Sequence, residues 1–293
     1  MYRIKTEITI ISILIFCFLV LAKDEDRLTI SKQEPLTREK SLMVSLKYGN
    51  GYITIGKSEN KNIYEGEFIY SGSRPDIRYD IVGDQGRLDI HFSGEGRNTD
   101  EDEESRDIES LNKLYKNDLT LNFNQQIPVD FSLDLGIVKG TMEFGGLKIS
   151  NIDLEAGVSK TTIVFSEPNR GSMESFAIEG GVGKLAVEKL GNANTADFSF
   201  EGGVGSYELD LSGDYRQDLR GEITLGMGKL ILYLPREIGA RLSIDKSFLS
   251  SFDIDEVFKN GDVYTNNEWE KSKYNIDLNI ESGVGKIEVV WVE

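Results

Sequence analysis

The chain has few of the side chains on which catalysis and metal binding most often depend. Its 293 residues include one cysteine and one histidine, and this count excludes a histidine-rich zinc site. No G-x-S-x-G nucleophile elbow is present. His91 stands in the strand-like stretch RLDIHF, and we interpret it as an ordinary strand residue. We therefore expect a protein that is not an enzyme and that holds no cofactor and no metal.

Long apolar runs are also scarce. The single one, ITIISILIFCFLVLA over residues 8–22, follows Arg3 and Lys5 and precedes the acidic stretch KDED. Fifteen residues are short for a transmembrane helix, which needs about 20, so the run is typical of a signal peptide over 1–22 that is cleaved before Lys23. Cleavage also removes Cys17. We expect an exported protein, periplasmic or on the cell surface; an uncleaved anchor is the alternative.

Positive charge is in deficit. The chain has 33 Lys and Arg against 50 Asp and Glu, a net charge of −17, which disfavours nucleic acid as a partner.

Five prolines and 30 glycines in a chain with 39% hydrophobic residues indicate folded β-structure with many turns. The chain divides into a polar linker over 23–40, an N-terminal β-unit over 41–95, an acidic loop over 96–117 and a repetitive β-domain over 118–293.

The repeats recur about every 22 residues, and each can be numbered from its first glycine as position zero. Large apolar residues precede the glycine at −5 and −3, with another at +1, and a second apolar pair follows at +4 and +6. In a regular strand these two sets would face opposite sides. A bend must therefore reset the direction of the side chains. The zero positions are Gly49, Gly136, Gly157, Gly181, Gly203, Gly226 and Gly283.

A second glycine at +2 is placed to make this bend, because glycine adopts positive φ without steric cost. Val138 and Ser159 depart from the pattern, so those two repeats should bend differently. The stretch EGGVGKLAV at 179–187 does not fit a phosphate-binding loop, which requires an earlier glycine and Ser or Thr after the lysine. We expect no nucleotide. The predicted bends are Gly51, Gly183, Gly205, Gly228 and Gly285.

Two charged columns accompany the bend. Position −2, on the face away from the core, is occupied by Glu155, Glu179 and Glu201. Three interpretations are open: solvated carboxylates that oppose aggregation, ligands for a row of hard cations, or a pair of carboxylates for glycoside cleavage. Lysines at +3 are either exposed turn residues or contacts for an anionic envelope polymer; they are Lys184, Lys229 and Lys286.

Repeats of this length cannot bury an apolar face alone, so stacking into a β-solenoid or toast-rack is expected. An antiparallel meander stays open, because periodicity does not fix the pairing direction. The insertion over 247–273 carries Phe248, Phe252 and Trp269 among its aromatic residues. It is either a flap that covers the open end of the stack or an aromatic carbohydrate groove.

The glycine-bend repeats, the stretch LPREIGARLSI at 234–244 and the ending ESGVGKIEV resemble the bacterial toast-rack family. That family is related to the C-terminal domain of LiaF-type cell-wall stress proteins and to adhesin-like β-repeat proteins. The stretch LKYGNGYITIG is similar to the domain found in front of toast-rack repeats. The resemblance implies an extracytoplasmic β-repeat protein and supplies no catalytic residues.

Three functions follow from these expectations. The first is a non-enzymatic structural or adhesive module of the bacterial envelope, with an envelope polymer or a membrane protein as partner. The second, implied by the resemblance, is an envelope-stress regulator that contacts a membrane sensor, although LiaF-type proteins have several membrane helices before the domain and this chain does not. The third is a carbohydrate-active enzyme on a β-helical fold.

Overall fold

A computed structural model describes residues 27–93 and 117–293. The predicted signal peptide and all but Asn117 of the predicted acidic loop lie outside this range. The all-β prediction is confirmed, with one 3-10 turn at Leu190–Ala193, and no helix in the described ranges has the length and apolar character needed to cross a membrane. The strands are β1 (Leu28–Pro35), β2 (Ser41–Lys57), β3 (Asn62–Tyr70), β4 (Asp76–Val82), β5 (Gln85–Phe92), β6 (Asp118–Phe123), β7 (Val129–Glu143), β8 (Ile149–Val164), β9 (Met173–Glu188), β10 (Thr195–Asp210), β11 (Leu219–Pro235), β12 (Gly239–Lys246), β13 (Ser250–Asp253), β14 (Phe258–Asn260), β15 (Val263–Thr265) and β16 (Asn275–Val292).

Seven long strands of 15 to 18 residues form the body of the fold. They lie in the order β2, β7, β8, β9, β10, β11, β16, and all pair in parallel. Equivalent positions of the repeats are direct neighbours: Gly183 pairs with Gly205, and Gly205 pairs with Gly228. The stacked architecture is confirmed, and the antiparallel meander is wrong.

Each long strand bends once, and the bend divides it between two walls that enclose the core. In β9, Phe176 and Ile178 are buried before the bend, and Leu185 and Val187 are buried after it. Odd-numbered positions thus face the core up to −1, and even-numbered positions face the core from +4 onward. We call positions 0 to +3 the corner, the strand before it the first wall and the strand after it the second wall.

Close approach between strands explains why the corner needs glycine. A Cβ on Gly205 would lie 2.1 Å from the carbonyl oxygen of Gly183, and one on Gly228 would lie 1.9 Å from that of Gly205. Gly228 also has φ 136°, a conformation that other residues rarely adopt. The corner glycines with φ between 135° and 142° are Gly51, Gly183, Gly228 and Gly285.

Gly205 does not adopt this positive φ, so the expectation of a positive φ is wrong at that corner. The requirement for glycine there comes from the Gly183 oxygen alone. In β7 the close approach moves to Gly140, whose Cβ would lie 1.8 Å from the carbonyl oxygen of Ile53, while Val138 at +2 is buried. Ser159 takes the +2 position of β8 and is buried as well.

At both ends of the stack, a pair of shorter strands replaces a long one. β5 pairs with the first-wall half of β2 and β6 with its second-wall half, both in parallel. β12 and β13 pair in the same way with the two halves of β16. The last strand of the chain therefore lies between β11 and the β12–β13 rung, so spatial order departs from chain order.

Three expected boundaries differ from these pairings. The segment 23–40 is no simple linker, because β1 at Leu28–Pro35 pairs antiparallel with β3. The expected N-terminal and C-terminal units share one sheet, since β5 and β6 belong to one rung on either side of 94–116. Part of the expected flap, β13, is the second half of the β12–β13 rung. Phe252 of β13 packs on Tyr264 with ring centroids 4.9 Å apart.

A continuous file, or linear stack, of phenylalanine rings lies in the core between the two walls. Neighbouring ring centroids are 5.0 to 6.0 Å apart, within the favourable range for aromatic pairs. On β11, the strand after that of Phe198, position −5 is Gly221. A Cβ added there would lie 2.4 Å from Cδ2 of Leu278, so the leucine side chain occupies the space of a phenylalanine ring. The file consists of Phe123, Phe131, Phe144, Phe165, Phe176 and Phe198.

Buried asparagines fix the turns that return the chain from the second wall to the first. Asn169 is fully buried; its Nδ2 donates to the carbonyl oxygens of Ile149 and Ala193, and its Oδ1 accepts from the N–H groups of Ile149 and Gly171. Asn192 bonds the Phe165 carbonyl in the same manner. These amides satisfy turn backbone groups that would otherwise be buried without partners.

Candidate functional site

The predicted carboxylates do form a row on the outer face of the first wall. Glu155 pairs with Glu179, and Glu179 pairs with Glu201, so the three stand on adjacent strands about 4.8 Å apart. Asp134 extends the row by one strand. All four are exposed, and none forms an ion pair with a residue of the described ranges.

The row does not gather into a metal centre. Within 27–93 and 117–293, no group of three or more His, Cys, Asp and Glu side chains is arranged to hold a metal ion. Like charges on adjacent strands are instead mildly destabilising, by up to about 1 kcal/mol a pair, and solvent and salt screen them. The fold therefore gains no stability from this repeated acid.

Lysines form a second row on the other side of the corner. Lys139 pairs with Lys160, and Lys160 pairs with Lys184. Lys184 pairs with Ser206, which interrupts the row before Lys229. Lys139 and Lys160 were not predicted from the sequence, because their repeats lack the +2 glycine that marks the motif.

The ends of the lysine row differ in charge balance. Lys229 and Lys286 lie 3.1 and 3.3 Å from Glu288. Hydrogen bonds from these two lysines lower the pKa of the Glu288 carboxyl, and the same contact raises the pKa of Lys286. By contrast, Lys139, Lys160 and Lys184 make no ion pair within the described ranges. The uncompensated part of the row lies on β7, β8 and β9.

Aliphatic side chains form a third row between the charged ones. Position +1 was expected to face the core, and this expectation is wrong: Val158, Val182, Val204 and Met227 are 45 to 51% exposed. The regular alternation of side chains is broken before position +1. Position −1 is therefore the last one before the bend whose side chain faces the core, and the side chain at +1 lies on the outer side of the corner. Leu135 at −1 is buried accordingly.

The three rows repeat one surface pattern on β7, β8, β9, β10, β11 and β16, but not on β2: an acid at −2, an aliphatic residue at +1 and a lysine at +3. We call this surface the corner strip. It departs from the pattern at Thr224 and Ser206. Its members are Asp134, Ile137 and Lys139; Glu155, Val158 and Lys160; Glu179, Val182 and Lys184; Glu201, Val204 and Ser206; Thr224, Met227 and Lys229; and Glu281, Val284 and Lys286.

The β12–β13 rung continues the aliphatic row without a glycine. The N–H of Gly285 donates to the carbonyl oxygen of Leu249, which places 247–249 beside the corner of β16. Phe248 and Leu249 are 93% and 55% exposed there. No glycine pattern in the sequence marks this rung, and exposed apolar residues therefore continue one rung beyond the corner strip.

Two open grooves lie on the outer face of the first wall, with volumes of about 340 and 510 Å³. Asp197, Arg220 and Asp277 line the first, and Glu222, Asp245 and Glu281 line the second. Neither is lined by Glu155, Glu179 or Glu201, so the grooves do not join these three into a carbohydrate cleft, although Glu281 at position −2 of β16 lines the second. His91 is an exposed strand residue beside Lys47.

A comparison with protein-family models finds a match for this chain. The model for the N-terminal domain of toast_rack, DUF2154, matches residues 22–188, more than half of the chain. The chain belongs to the toast-rack family. A comparison of this toast-rack chain with curated proteins found no match.

Solved structures with low identity match nearly the whole toast-rack chain. One is a candidate cell-adhesion protein from Clostridium sporogenes ATCC 15579, with 21% identity and a TM-score of 0.45, covering 91% of this chain and 100% of the other. Another is a candidate adhesin from Bacteroides fragilis NCTC 9343, with 11% identity and a TM-score of 0.38, covering 91% and 98%. A third is a candidate lipid-binding protein from Parabacteroides distasonis ATCC 8503, with 10% identity and a TM-score of 0.35, covering 92% and 98%.

Proposed function

We propose that this toast-rack protein is a non-enzymatic structural or adhesive binding module of the bacterial envelope, and that the corner strip is its binding face. The corner strip carries the proposal. Core packing accounts for the repeated apolar positions, and close approach accounts for the repeated glycines. Neither accounts for an acid, an exposed aliphatic residue and a lysine repeated on successive rungs.

The fold suits such a role because a parallel stack displays identical side chains at a constant spacing of about 4.8 Å. Exposed apolar side chains in a contiguous row are typical of interaction surfaces. A rigid strip of this kind binds an extended partner through many weak contacts, rather than a small molecule in an enclosed pocket.

Cosedimentation with purified bacterial envelopes tests the proposal. The wild-type protein should sediment in a saturable manner. A variant with Val158→Thr, Val182→Thr and Val204→Thr should bind at least about fivefold more weakly, since threonine keeps the β-branched shape and loses the apolar contact. Turnover in a broad screen of glycans and esters by the purified protein would contradict the proposal, as would unchanged binding by the threonine variant.

Export is the second part of the proposal. It is supported by the apolar run over 8–22 and its flanking charges. N-terminal sequencing of the native protein should give Lys23 as the first residue. A native protein that begins at Met1 and stays in the cytoplasm would overturn this part and leave the binding proposal to be decided by cosedimentation.

A further inference from the structure

On β7, β8 and β9 the corner strip carries two opposite charges side by side, and neither is neutralised by an ion pair within 27–93 and 117–293. On β8 and β9, Glu155 and Glu179 stand on one side of the aliphatic row and Lys160 and Lys184 on the other. No ion pair within the described ranges involves any of the four. A partner that binds the whole strip must therefore satisfy both signs at once.

This requirement disfavours partners of a single charge. A polyanion along the lysine row would lie beside the row of carboxylates on a protein with a net charge of −17, and like-charge contacts oppose binding. A polycation would meet the lysines. The complementary surface has a basic row, an apolar row and an acidic row with a spacing of about 4.8 Å, and the corner strip itself is such a surface.

We infer that the corner strip binds the corner strip of a second copy of this chain, with the two stacks parallel. A twofold axis along the stack exchanges the two sides of the strip, so the acidic row of one copy faces the lysine row of the other. The aliphatic rows then meet in the middle. An axis perpendicular to the stack would put acid on acid. The inference rests on the proposed binding function of the strip and names its partner.

The size of the strip predicts a weak complex. Six rungs at about 4.8 Å and five residues at about 3.3 Å give at most about 500 Å² a partner, below the roughly 800 Å² of a standard stable interface. Charge pairing at the rim makes such a contact sensitive to salt. Weak contacts of this kind become effective when many copies are displayed on one surface.

Charge exchange between two variants tests the inference. An acidic-strip variant carries Lys139→Glu, Lys160→Glu and Lys184→Glu, and a basic-strip variant carries Asp134→Lys, Glu155→Lys and Glu179→Lys. Each alone should be monomeric in sedimentation equilibrium at low salt, where the wild type self-associates. Their equimolar mixture should associate at least as tightly as the wild type, because every substituted acid of one variant again faces a lysine of the other, as in the wild type.

A matched control carries Arg170→Glu, Lys189→Glu and Arg216→Glu, three exposed cations outside the strip. It has the charge of the acidic-strip variant and should self-associate like the wild type; circular dichroism confirms the fold of all variants. A monomeric wild type at millimolar concentration and low salt, or a mixture that fails to associate, would overturn the inference. Envelope binding is measured separately, so a monomeric wild type that still sediments with envelopes would leave the proposed function standing.

Discussion

At the scale of single residues, glycine is required at the corner for two separable reasons. Gly228 combines φ 136° with a carbonyl oxygen 1.9 Å from its Cβ position. Gly205 has only the close contact, at 2.1 Å. Gly261 has only the backbone conformation, φ 62°, with no atom within 4 Å of an added Cβ. The chain thus contains its own controls for backbone strain and for crowding.

Alanine substitution at these glycines should separate the two effects. Gly228→Ala should lower the free energy of unfolding by at least about 3 kcal/mol, because strands must separate to admit the methyl group. Gly261→Ala should cost about 1 kcal/mol, the price of a left-handed conformation without a clash. Urea denaturation of both variants measures the difference. Equal losses would show that crowding at the corner is unimportant.

Glu39 is a buried carboxylate, 5% exposed, that joins the turn before β2 to the edge strand β4. Burial acts to raise its pKa, but hydrogen bonds from the Tyr79 hydroxyl, from Thr37 and from local backbone N–H groups outweigh it and lower the pKa to about 2. The ionised form is thus favoured by folding. Its contribution to stability is present above the ordinary carboxyl pKa of about 4.3 and is lost as the pH falls toward 2.

Glu39→Gln should therefore destabilise the protein at pH 7, because the amide presents donors to the N–H groups around it. The loss of stability between pH 5 and pH 2 should be smaller in the variant than in the wild type. Thermal unfolding followed across this pH range measures both slopes. Parallel curves for the two proteins would contradict the assignment of the low pKa to Glu39.

At the scale of elements, each rung depends on the return turn as well as on the corner. Asn169 bonds the backbone at Ile149, Gly171 and Ala193 and so connects three neighbouring segments. Asn169→Ala should cost about 3 to 5 kcal/mol, since several buried backbone groups lose their partners together. Asn151→Ala is the control: its side chain reaches Asp130 and Ser175 near the surface, and it should cost less than about 1 kcal/mol. Comparable losses at the two sites would contradict this role of Asn169.

The repeats in the sequence predicted the corner, since a glycine column with a change of parity has few other physical explanations. Leu185, Tyr207 and Leu230 are buried as that argument required. Pairing direction could not be predicted, because a single period fits parallel and antiparallel neighbours alike. Val182 was predicted to face the core because the alternation of side chains was continued to position +1, whereas the chain already bends at position zero. Lys139 and Lys160 were missed for lack of a +2 glycine, and the β12–β13 rung for lack of any.

At the scale of the whole molecule, one sheet runs without interruption from the N-terminal strands to β14. The rung formed by β5 and β6 is opened at its corner, where Ser93 and Asn117 approach Gly49 and Gly51 of the next rung. Because Gly49 and Gly51 are only two residues apart, a short linker can join Ser93 to Asn117.

Replacing 94–116 by a four-residue Gly-Ser linker should therefore preserve the fold, with a melting temperature within about 3 °C of the wild type, because loop-closure entropy changes slowly with length. Scanning calorimetry measures this directly. Inserting the same four residues within β9 serves as the control and should abolish the cooperative transition. A loss of folding in the shortened variant would contradict the assignment of β5 and β6 to one rung.

The most direct measurement of the central claim is the reactivity of thiols placed on either side of one corner. In a Cys17→Ala background, a cysteine in place of Val182 faces solvent and a cysteine in place of Leu185 faces the core. Under native conditions at low concentration, Val182→Cys should react with a maleimide at nearly the rate of a free thiol. Leu185→Cys should react at least about a hundredfold more slowly until denaturant opens the stack. Similar rates for the two, or the reverse order, would contradict a corner that resets the inward face of every rung.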